Sequence, residues 1–346
     1  MTADPNRGIR LVLSEHPSHG ATGVVVELEW NAFTEEPYVG QPMRILPLLG
    51  TTWRYTVREI ELHGNFEHHL HRTILEALEG ASALRFVCCS AESLSRILQI
   101  PSHLRKIEFR YCELPQDLGK YWIDRILISG CSRRVSTSLF EVQAGAVSIE
   151  LPLVDGVADA ALISTTQLFI DGLLGNAFDD AARLVRYCDR QLQSVYLQDM
   201  TLGPSTLEAI YKSSARRVTS TGCLWDLRRK VKVPIPENSA IEFADFDVLA
   251  IPAPVLAAAV RAAHGIRRLV MPKLELNDSL CRAIADNHAL ASVDIMRCSL
   301  PAEIHGVIAR QVVELTISQA QTTRSQLLKK TFPNAQLVLV DLLPDG

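Results

Sequence analysis

The sequence predicts an α/β solenoid in which a short strand and a return segment alternate along most of the chain. One observation is that an apolar template recurs with a mean spacing of about 23 residues, which is typical of strand-based repeat proteins. A second is that several segments between the copies have helical patterns. Hydrophobic residues make up 47% of the 346 residues, which is enough for a core that each repeat shares with its neighbours.

The template contains an apolar residue, two variable residues, a second apolar residue, one variable residue and a third apolar residue. Two more variable residues follow, and then Cys, Asn or a small apolar residue. Clear copies begin at Leu104 and Leu290, and others begin at Leu192 and Ile266. Alternation around the second and third apolar positions is typical of a strand with one buried face. We expect the strands to pair in parallel, with each repeat burying its apolar side chains against the next.

The second apolar position of each copy is expected to form a buried ladder across the strands. These ladder residues are Ile60, Leu84, Ile107, Ile126, Val147, Leu168, Val195, Val218, Ile241, Leu269, Val293, Leu315 and Leu337. The residue after each of them is expected to face outward. The outward residues are Glu61, Arg85, Glu108, Leu127, Ser148, Phe169, Tyr196, Thr219, Glu242, Val270, Asp294, Thr316 and Val338. Some copies are degenerate, since Ser220 stands at a third apolar position.

The return segments divide into helical and irregular ones. Helices are predicted around residues 179–188, 254–263, 280–285, 304–308 and 325–330. The returns of the third to sixth copies are shorter, and the stretch 131–146 is rich in Ser and Arg, so irregular or 3₁₀ returns are expected there.

The first fifty residues do not follow the template. Residues 9–13 and 24–30 are strand-like and are separated by turn residues at 17–20, which predicts a β-hairpin. We expect this hairpin to cap the open end of the core. The predicted organisation is therefore an N-terminal β-strand cap and connection over residues 1–53 and a solenoid of about 13 degenerate repeats over residues 54–346.

The template resembles that of the leucine-rich-repeat superfamily, nearest to its cysteine-containing and ribonuclease-inhibitor-like subclasses. The resemblance covers residues 54–342. It implies a leucine-rich-repeat solenoid with a curved parallel β-sheet on the concave side and helices and irregular returns on the convex side. It implies little about function, because proteins of this family bind many unlike partners.

Charge and cysteine content limit the classes of function and the compartment. The net charge is −4, so the chain lacks the overall basic character that favours nucleic acid as a partner. No apolar run reaches membrane-spanning length and the N-terminal residues are polar, so we expect no membrane partner and a cytoplasmic location. Of the eight cysteines, Cys89, Cys112, Cys131, Cys223 and Cys298 stand at the turn position of the template. This regularity favours a structural role and a reducing compartment.

Catalytic and metal-binding signatures do not occur in the sequence. It contains no phosphate-binding loop, dinucleotide-binding glycine pattern, nucleophile elbow or His-Glu-x-x-His motif, so we expect no enzyme activity and no cofactor. The histidines are densest at His63, His68, His69 and His71. No carboxylate or cysteine completes a known ligand spacing there, so a solvated loop is favoured over a metal site.

The concave face is the predicted binding site. Leu127, Phe169 and Tyr196 lie at the centre of the outward row, and exposed aromatic residues with a polar rim are typical of protein interfaces. Basic residues just ahead of the strands could attract an acidic surface: Arg125, Arg216, Arg217, Arg267 and Arg268. The competing interpretations are that a loop covers Phe169 and that the arginines form local ion pairs at a solvated edge.

We therefore expect a non-catalytic protein-protein recognition or adaptor module that binds another protein. One alternative is the substrate-recognition subunit of a ubiquitin-ligase-like or other multi-protein assembly. Another is a bacterial effector-type enzyme with a reactive thiol. The first alternative implies a helical adaptor-binding segment before the repeats, where the sequence predicts strands. The second implies one hyper-reactive cysteine.

Overall fold

A computed structural model of the chain describes residues 9–16, 23–30, 57–63, 78–79, 81–99, 101, 104–114, 123–131, 140–150, 161–172, 178–188, 190–226 and 240–340. The chain divides into two compact units, residues 1–165 and residues 166–346. Both units have an α/β architecture with a largely parallel sheet. The predicted irregular return between Cys131 and Ala146 is wrong for residues 140–146, which belong to a strand. Residues 132–139 and the histidines at 68, 69 and 71 lie outside the described residues.

Strands of the first unit pair in chain order from the third strand onward. They are β1 (Ile9–His16), β2 (Gly23–Trp30), β3 (Val57–His63), β4 (Ala83–Val87), β5 (Lys106–Arg110), β6 (Ile123–Ser129) and β7 (Phe140–Glu150), with helix α1 (Ala91–Ile97) after β4. Strand β1 pairs antiparallel with β2 and parallel with β3, and β3 to β7 are parallel throughout. The predicted strand pair at the N-terminal end is therefore present, and its capping role stays a prediction.

The second unit continues the alternation of strands and helices. Strand β8 (Ala161–Asp171) crosses the boundary between the units. The strands that follow are β9 (Ser194–Gln198), β10 (Thr201–Leu202), β11 (Arg217–Trp225), β12 (Phe243–Leu249), β13 (Arg268–Val270), β14 (Ser292–Asp294), β15 (Glu314–Ser318) and β16 (Gln336–Val340). The order within this sheet is β8, β9, β11 and then β12 to β16, all parallel, while the short β10 pairs with β11.

The predicted ladder residues lie opposite one another within each sheet, with one exception. Partners across the first sheet are Ile60, Leu84, Ile107, Ile126 and Val147. Partners across the second are Leu168, Val195, Val218, Ala244, Leu269, Val293, Leu315 and Leu337. All except Leu337 in the edge strand are at most 2% exposed. Each buried Leu, Ile or Val contributes about 1.5–3 kcal/mol, so the ladder is a main source of stability.

The prediction for Ile241 was wrong by three residues. Ala244, not Ile241, pairs with Val218 and Leu269, and the outward residue of this strand is Asp245 instead of Glu242. Ile241 is fully buried ahead of the strand, at the first apolar position of the template. Ile241 and Ala244 are three residues apart and both apolar. The sequence analysis assigned the larger one, Ile241, to the ladder.

A single residue with positive φ directly follows five of the described strands. These residues are Cys88, Tyr111 and Gly130 in the first unit and Asp199 and Ala250 in the second, with φ between 47° and 60°, and Gly222 has the same conformation within β11. The next residue is buried in each case, for example Cys89, Cys112 and Cys223. The left-handed backbone turns the chain off the sheet and directs the following side chain into the core.

Helices occupy several returns, and two of them were not predicted. The second unit has α2 (Phe178–Tyr187), α3 (Pro204–Lys212), α4 (Ala253–Ala262), α5 (Asp278–Asp286), a 3₁₀ helix (Gln319–Arg324) and α6 (Ser325–Thr331). The predictions near 179–188, 254–263, 280–285 and 325–330 are confirmed, whereas α1 and α3 were missed. The predicted helix at 304–308 is wrong, because this segment is irregular and Gly306 has a φ of 66°. No helix in the described ranges has the length and apolar character that crossing a membrane needs.

Side-chain amides connect successive returns in the second unit. The Asn287 amide donates to the carbonyl oxygens of Val260 and Ala263, both at 2.8 Å. The Gln311 amide donates to the carbonyl oxygens of Ile284 and Asn287 at 2.5 and 3.2 Å. These carbonyls lie at or near the C-terminal ends of α4 and α5, so each return is hydrogen-bonded to the end of the preceding one.

Candidate functional site

The outward face of each sheet carries a row of side chains that the parallel register aligns. In the first unit the row comprises Glu61, Arg85, Glu108, Leu127 and Ser148. In the second it comprises Phe169, Tyr196, Thr219, Asp245, Val270, Asp294, Thr316 and Val338. The two rows differ in chemistry, and each is described within its own unit.

Arginine and glutamate side chains on the outward face of the first unit form a network of ion pairs. Arg85 contacts the carboxylates of Glu61 at 3.0 Å and Glu108 at 2.9 Å, and Arg110 contacts Glu108 at 2.5 Å. Burial raises the pKa of Glu108, but hydrogen bonds from Arg85 and Arg110 outweigh it and hold the pKa below its usual value. Only 4% of the Glu108 side chain is exposed, so this network is an internal feature of the face and not a free charged patch.

Two predicted site residues belong to the first unit. Leu127 is partly exposed beside Glu108 in the outward row, and Arg125 is exposed in the same strand. The other predicted residues, Phe169, Tyr196 and the arginines at 216, 217, 267 and 268, belong to the second unit. The structure therefore groups most of the predicted site within one sheet.

An aromatic pair lies at the first two positions of the outward row of the second unit. The rings of Phe169 and Tyr196 stack with centroids 4.3 Å apart and an interplanar angle of 6°. Both side chains are partly exposed, so no loop buries Phe169 completely. The stacked rings hold each other in one orientation, which lowers the entropy that a partner must remove on binding.

A second aromatic residue, which the sequence analysis missed, organises two of the predicted arginines. Phe243 lies in register between Arg217 and Arg268. The guanidinium carbons lie 4.4 Å (Arg217) and 5.9 Å (Arg268) from the centroid of the Phe243 ring. Both distances are within the range of cation–π contacts. We call these three residues the arginine clamp.

The remaining basic residues lie near the arginine clamp in the chain. Arg216 contacts Glu242 at 3.6 Å, but both side chains are well exposed, at 70% and 46%, so the pair contributes little to stability. Arg267 is exposed as well. Among the described residues, Arg217, Arg267 and Arg268 have no carboxylate within 4.0 Å. The predicted alternative of local ion pairs therefore describes Arg216 alone of these four.

Acidic side chains follow the arginine clamp along the same strands. Asp245 lies two residues after Phe243 in β12, and Asp247 follows and contacts Arg297 at 3.1 Å. Burial raises the pKa of Asp245, and the nearby charges of Asp247 and Asp294 add to this effect while Arg297 opposes it. The outward face thus changes from basic to acidic along the strand direction.

The cysteines contribute to the core instead of to this face. All eight are free thiols; Cys88 is exposed, Cys188 is partly exposed and the other six are buried. Burial raises the pKa of Cys223 to about 11 and those of Cys281 and Cys298 to about 12. Thiols at the turn donate to nearby carbonyls, as from Cys112 to Arg110 at 3.2 Å. These contacts satisfy a buried weak donor.

Three of the turn cysteines form a row in the first unit. Hydrogen bonds with Cys112, together with burial, raise the pKa of Cys89 and of Cys131. Hydrogen bonds from Cys131 and Cys89 lower the pKa of Cys112, although burial opposes this. Cys112 is 0% exposed, so a substrate does not reach its thiol in this conformation.

The described residues do not form a metal site. They contain no group of three or more His, Cys, Asp or Glu side chains arranged to hold an ion. His63 lies 2.6 Å from the Glu61 carboxylate, and the other histidines of the predicted cluster fall outside the described ranges.

Comparisons with known proteins give no further assignment. No protein-family model matches the chain, and no curated protein matches it significantly. The candidate site therefore rests on the geometry of the second sheet: a stacked aromatic pair, an arginine clamp and an acidic margin.

Proposed function

We propose that the chain is a leucine-rich-repeat protein that recognises another protein on the outward face of its parallel sheet, without catalysing a reaction. The proposal is supported by the repeating register of ladder residues and by the free thiols at the turn position. A cytoplasmic location is part of the proposal, because eight cysteines without a disulfide fit a reducing compartment.

The observation that carries the proposal is the stacked pair Phe169 and Tyr196. Aromatic side chains supply much of the binding energy at protein interfaces when they are held in place and surrounded by polar groups. The pair lies next to Thr219 in the outward row, while Arg217 and Asp245 supply charges of both signs nearby. This composition favours a protein partner over a small molecule, because the second sheet presents a row of side chains across its strands.

Tyr196→Asp and Phe169→Asp are the variants that test this surface. Each places a charge within the proposed aromatic centre, so capture of the partner from cell extract should weaken by about tenfold or more. Capture would be measured by affinity purification with quantitative mass spectrometry. Because both positions are partly exposed, the midpoint of thermal unfolding should change little.

Ile308→Asp is the matched control. Ile308 is 51% exposed in an irregular return segment and is not part of the outward row. The same substitution there should leave capture unchanged. Equal capture by all three variants and the wild type would discard the aromatic centre, and recovery of a ligase scaffold among the captured proteins would favour the ligase-subunit alternative.

A further inference from the structure

We propose that the arginine clamp binds carboxylates of an acidic segment in the partner protein. This inference rests on the proposed function, because the clamp lies on the same outward face as Phe169 and Tyr196. It goes further in assigning the chemistry of the segment that Arg217 and Arg268 contact.

The Phe243 ring restricts both guanidinium groups in the unbound protein. Strand β12 lies between β11 and β13, so Arg217 and Arg268 approach the Phe243 ring from neighbouring strands on opposite sides. A guanidinium that stacks on a ring keeps the N–H groups at its edge available. An arginine has five such donors in a planar arrangement that matches the two oxygens of a carboxylate. Stacking therefore restricts the side chains without using their hydrogen-bonding capacity.

Neither arginine forms an ion pair with a described residue in the unbound protein. Arg217 and Arg268 are exposed, and no carboxylate of a described residue lies within 4.0 Å of either. The ion pairs of the first unit provide a contrast, since Arg85 there contacts two carboxylates. A partner that binds the clamp does not have to displace an internal ion pair.

The acidic side chains beside the arginine clamp favour a protein segment over a polyphosphate as the partner. Asp245 lies two residues from Phe243 along β12, a separation of about 7 Å in an extended strand. Asp294 adds negative charge near Asp245, whereas Asp247 is paired with Arg297 at 3.1 Å. A nucleic acid carries phosphates along its whole length and would meet these carboxylates, whereas a peptide can place acidic residues over the clamp and neutral or basic residues beyond it.

The test uses a defined acidic peptide with the whole 346-residue chain. The probe is a fluorescently labelled octapeptide of alternating Glu and Ser, and its uncharged counterpart has Gln in place of Glu. Binding would be measured by fluorescence anisotropy at low and at physiological salt. A single-stranded oligonucleotide of eight nucleotides serves as the polyanion comparison.

Variants of the clamp are compared with a control that removes one positive charge elsewhere in the second unit. Arg217→Gln with Arg268→Gln should weaken binding of the Glu peptide by about tenfold or more, because both bidentate contacts are lost. Phe243→Leu should weaken it by about two- to fivefold, since the arginines lose their stacking partner. Arg282→Gln in helix α5 removes an exposed charge away from this face and should change binding by less than about twofold.

Three results would overturn the proposal. The first is similar binding of the Glu peptide by the double variant and by Arg282→Gln, and the second is no binding of this peptide by the wild type. The third is tighter binding of the oligonucleotide than of the peptide. If the peptide fails to bind while Tyr196→Asp still abolishes capture, the clamp assignment fails and the proposed function stands. If the arginines are required for peptide binding but both aromatic variants capture normally, the aromatic centre fails and the clamp stands.

Discussion

Two carboxylates on the outward faces, Glu108 and Asp245, have opposite electrostatic environments. Glu108 receives hydrogen bonds from Arg85 and Arg110 that hold its pKa below the usual value. Burial and neighbouring acids hold the pKa of Asp245 above its usual value. Folding therefore favours the ionised form of Glu108 and disfavours the ionised form of Asp245, which gives the two residues opposite effects on stability at neutral pH.

Glu108→Gln and Asp245→Asn should show these opposite effects in urea unfolding. At pH 7, Glu108→Gln should lower the free energy of unfolding by about 1–3 kcal/mol, because charged hydrogen bonds are lost. This deficit should shrink as the pH falls below about 4.5, because the carboxyl group of the unfolded chain takes up a proton there while that of the folded protein does so only at lower pH. At pH 7, Asp245→Asn should raise the free energy of unfolding, and its advantage should disappear toward pH 3.5. Parallel pH curves for either variant and the wild type would contradict the assignment for that residue.

Ser220 shows how one polar residue is accommodated at the third apolar position of the template. Its side chain is 1% exposed and donates to the carbonyl oxygen of Asp245 at 3.0 Å. The neighbouring strand places Phe246 opposite it. A backbone carbonyl thus satisfies the hydroxyl at a position where the template has an aliphatic side chain, so that the cost of burying the hydroxyl is reduced.

At the scale of elements, the turn that ends a strand depends on one backbone conformation more than on a residue type. Glycine meets the requirement directly at Gly130, where an added Cβ would lie 2.6 Å from the Tyr111 ring. Cys88, Tyr111 and Ala250 adopt the same conformation although a side chain there is unfavourable. The buried residue that follows each turn offsets this cost through its burial in the core.

Ala250→Gly tests the cost of this turn conformation. The substitution removes the Cβ at a φ of 60°, so the free energy of unfolding should rise by up to about 1 kcal/mol. Ala258→Gly within α4 is the control, and it should lower the free energy of unfolding by about 1 kcal/mol, because glycine is unfavourable in a helix interior. Both would be measured by urea denaturation. A loss of stability in Ala250→Gly similar to that in the control would show that the left-handed turn carries no appreciable strain.

At the scale of the whole molecule, periodicity predicted the parallel strands and failed where positions are chemically alike. The template could not distinguish Ile241 from Ala244, because both are apolar and only the strand register separates them. Helix α1 was missed although Ser90 caps its N-terminus by accepting from the Ser93 N–H, since the helix spans only seven residues. Residues 304–308 have a helical apolar pattern, but the positive φ of Gly306 is incompatible with a helix.

The candidate site was predictable in composition and not in arrangement. Phe169 and Tyr196 were identified because they follow ladder residues in successive copies of the template. Phe243 was missed because the wrong ladder residue, Ile241, placed Glu242 in the outward row. Its contact with Arg217 and Arg268 depends on the pairing of three strands that are distant in sequence, and one sequence does not reveal side-chain contacts of that kind.

The distribution of thiol reactivity should report the integrity of the whole core. A maleimide added to the native protein should modify Cys88 first and Cys188 more slowly, because these are the exposed and partly exposed cysteines. The six buried cysteines should react about a thousandfold more slowly or less, since modification requires an opening of the core. Peptide mass spectrometry would follow each site. Rapid modification of Cys112 would contradict this order and favour the effector-type enzyme.

Cys88 also provides a point of attachment for a spectroscopic label. Its thiol lies on the surface at the end of β4, in a turn whose conformation is set by the backbone, so a dye can be coupled there without a substitution. Fluorescence from this label would report on the first unit alone. A partner recognised through Tyr196 in the second unit would change the emission only if it also influenced the surroundings of Cys88, so the unaltered chain can indicate how far along the repeats recognition extends.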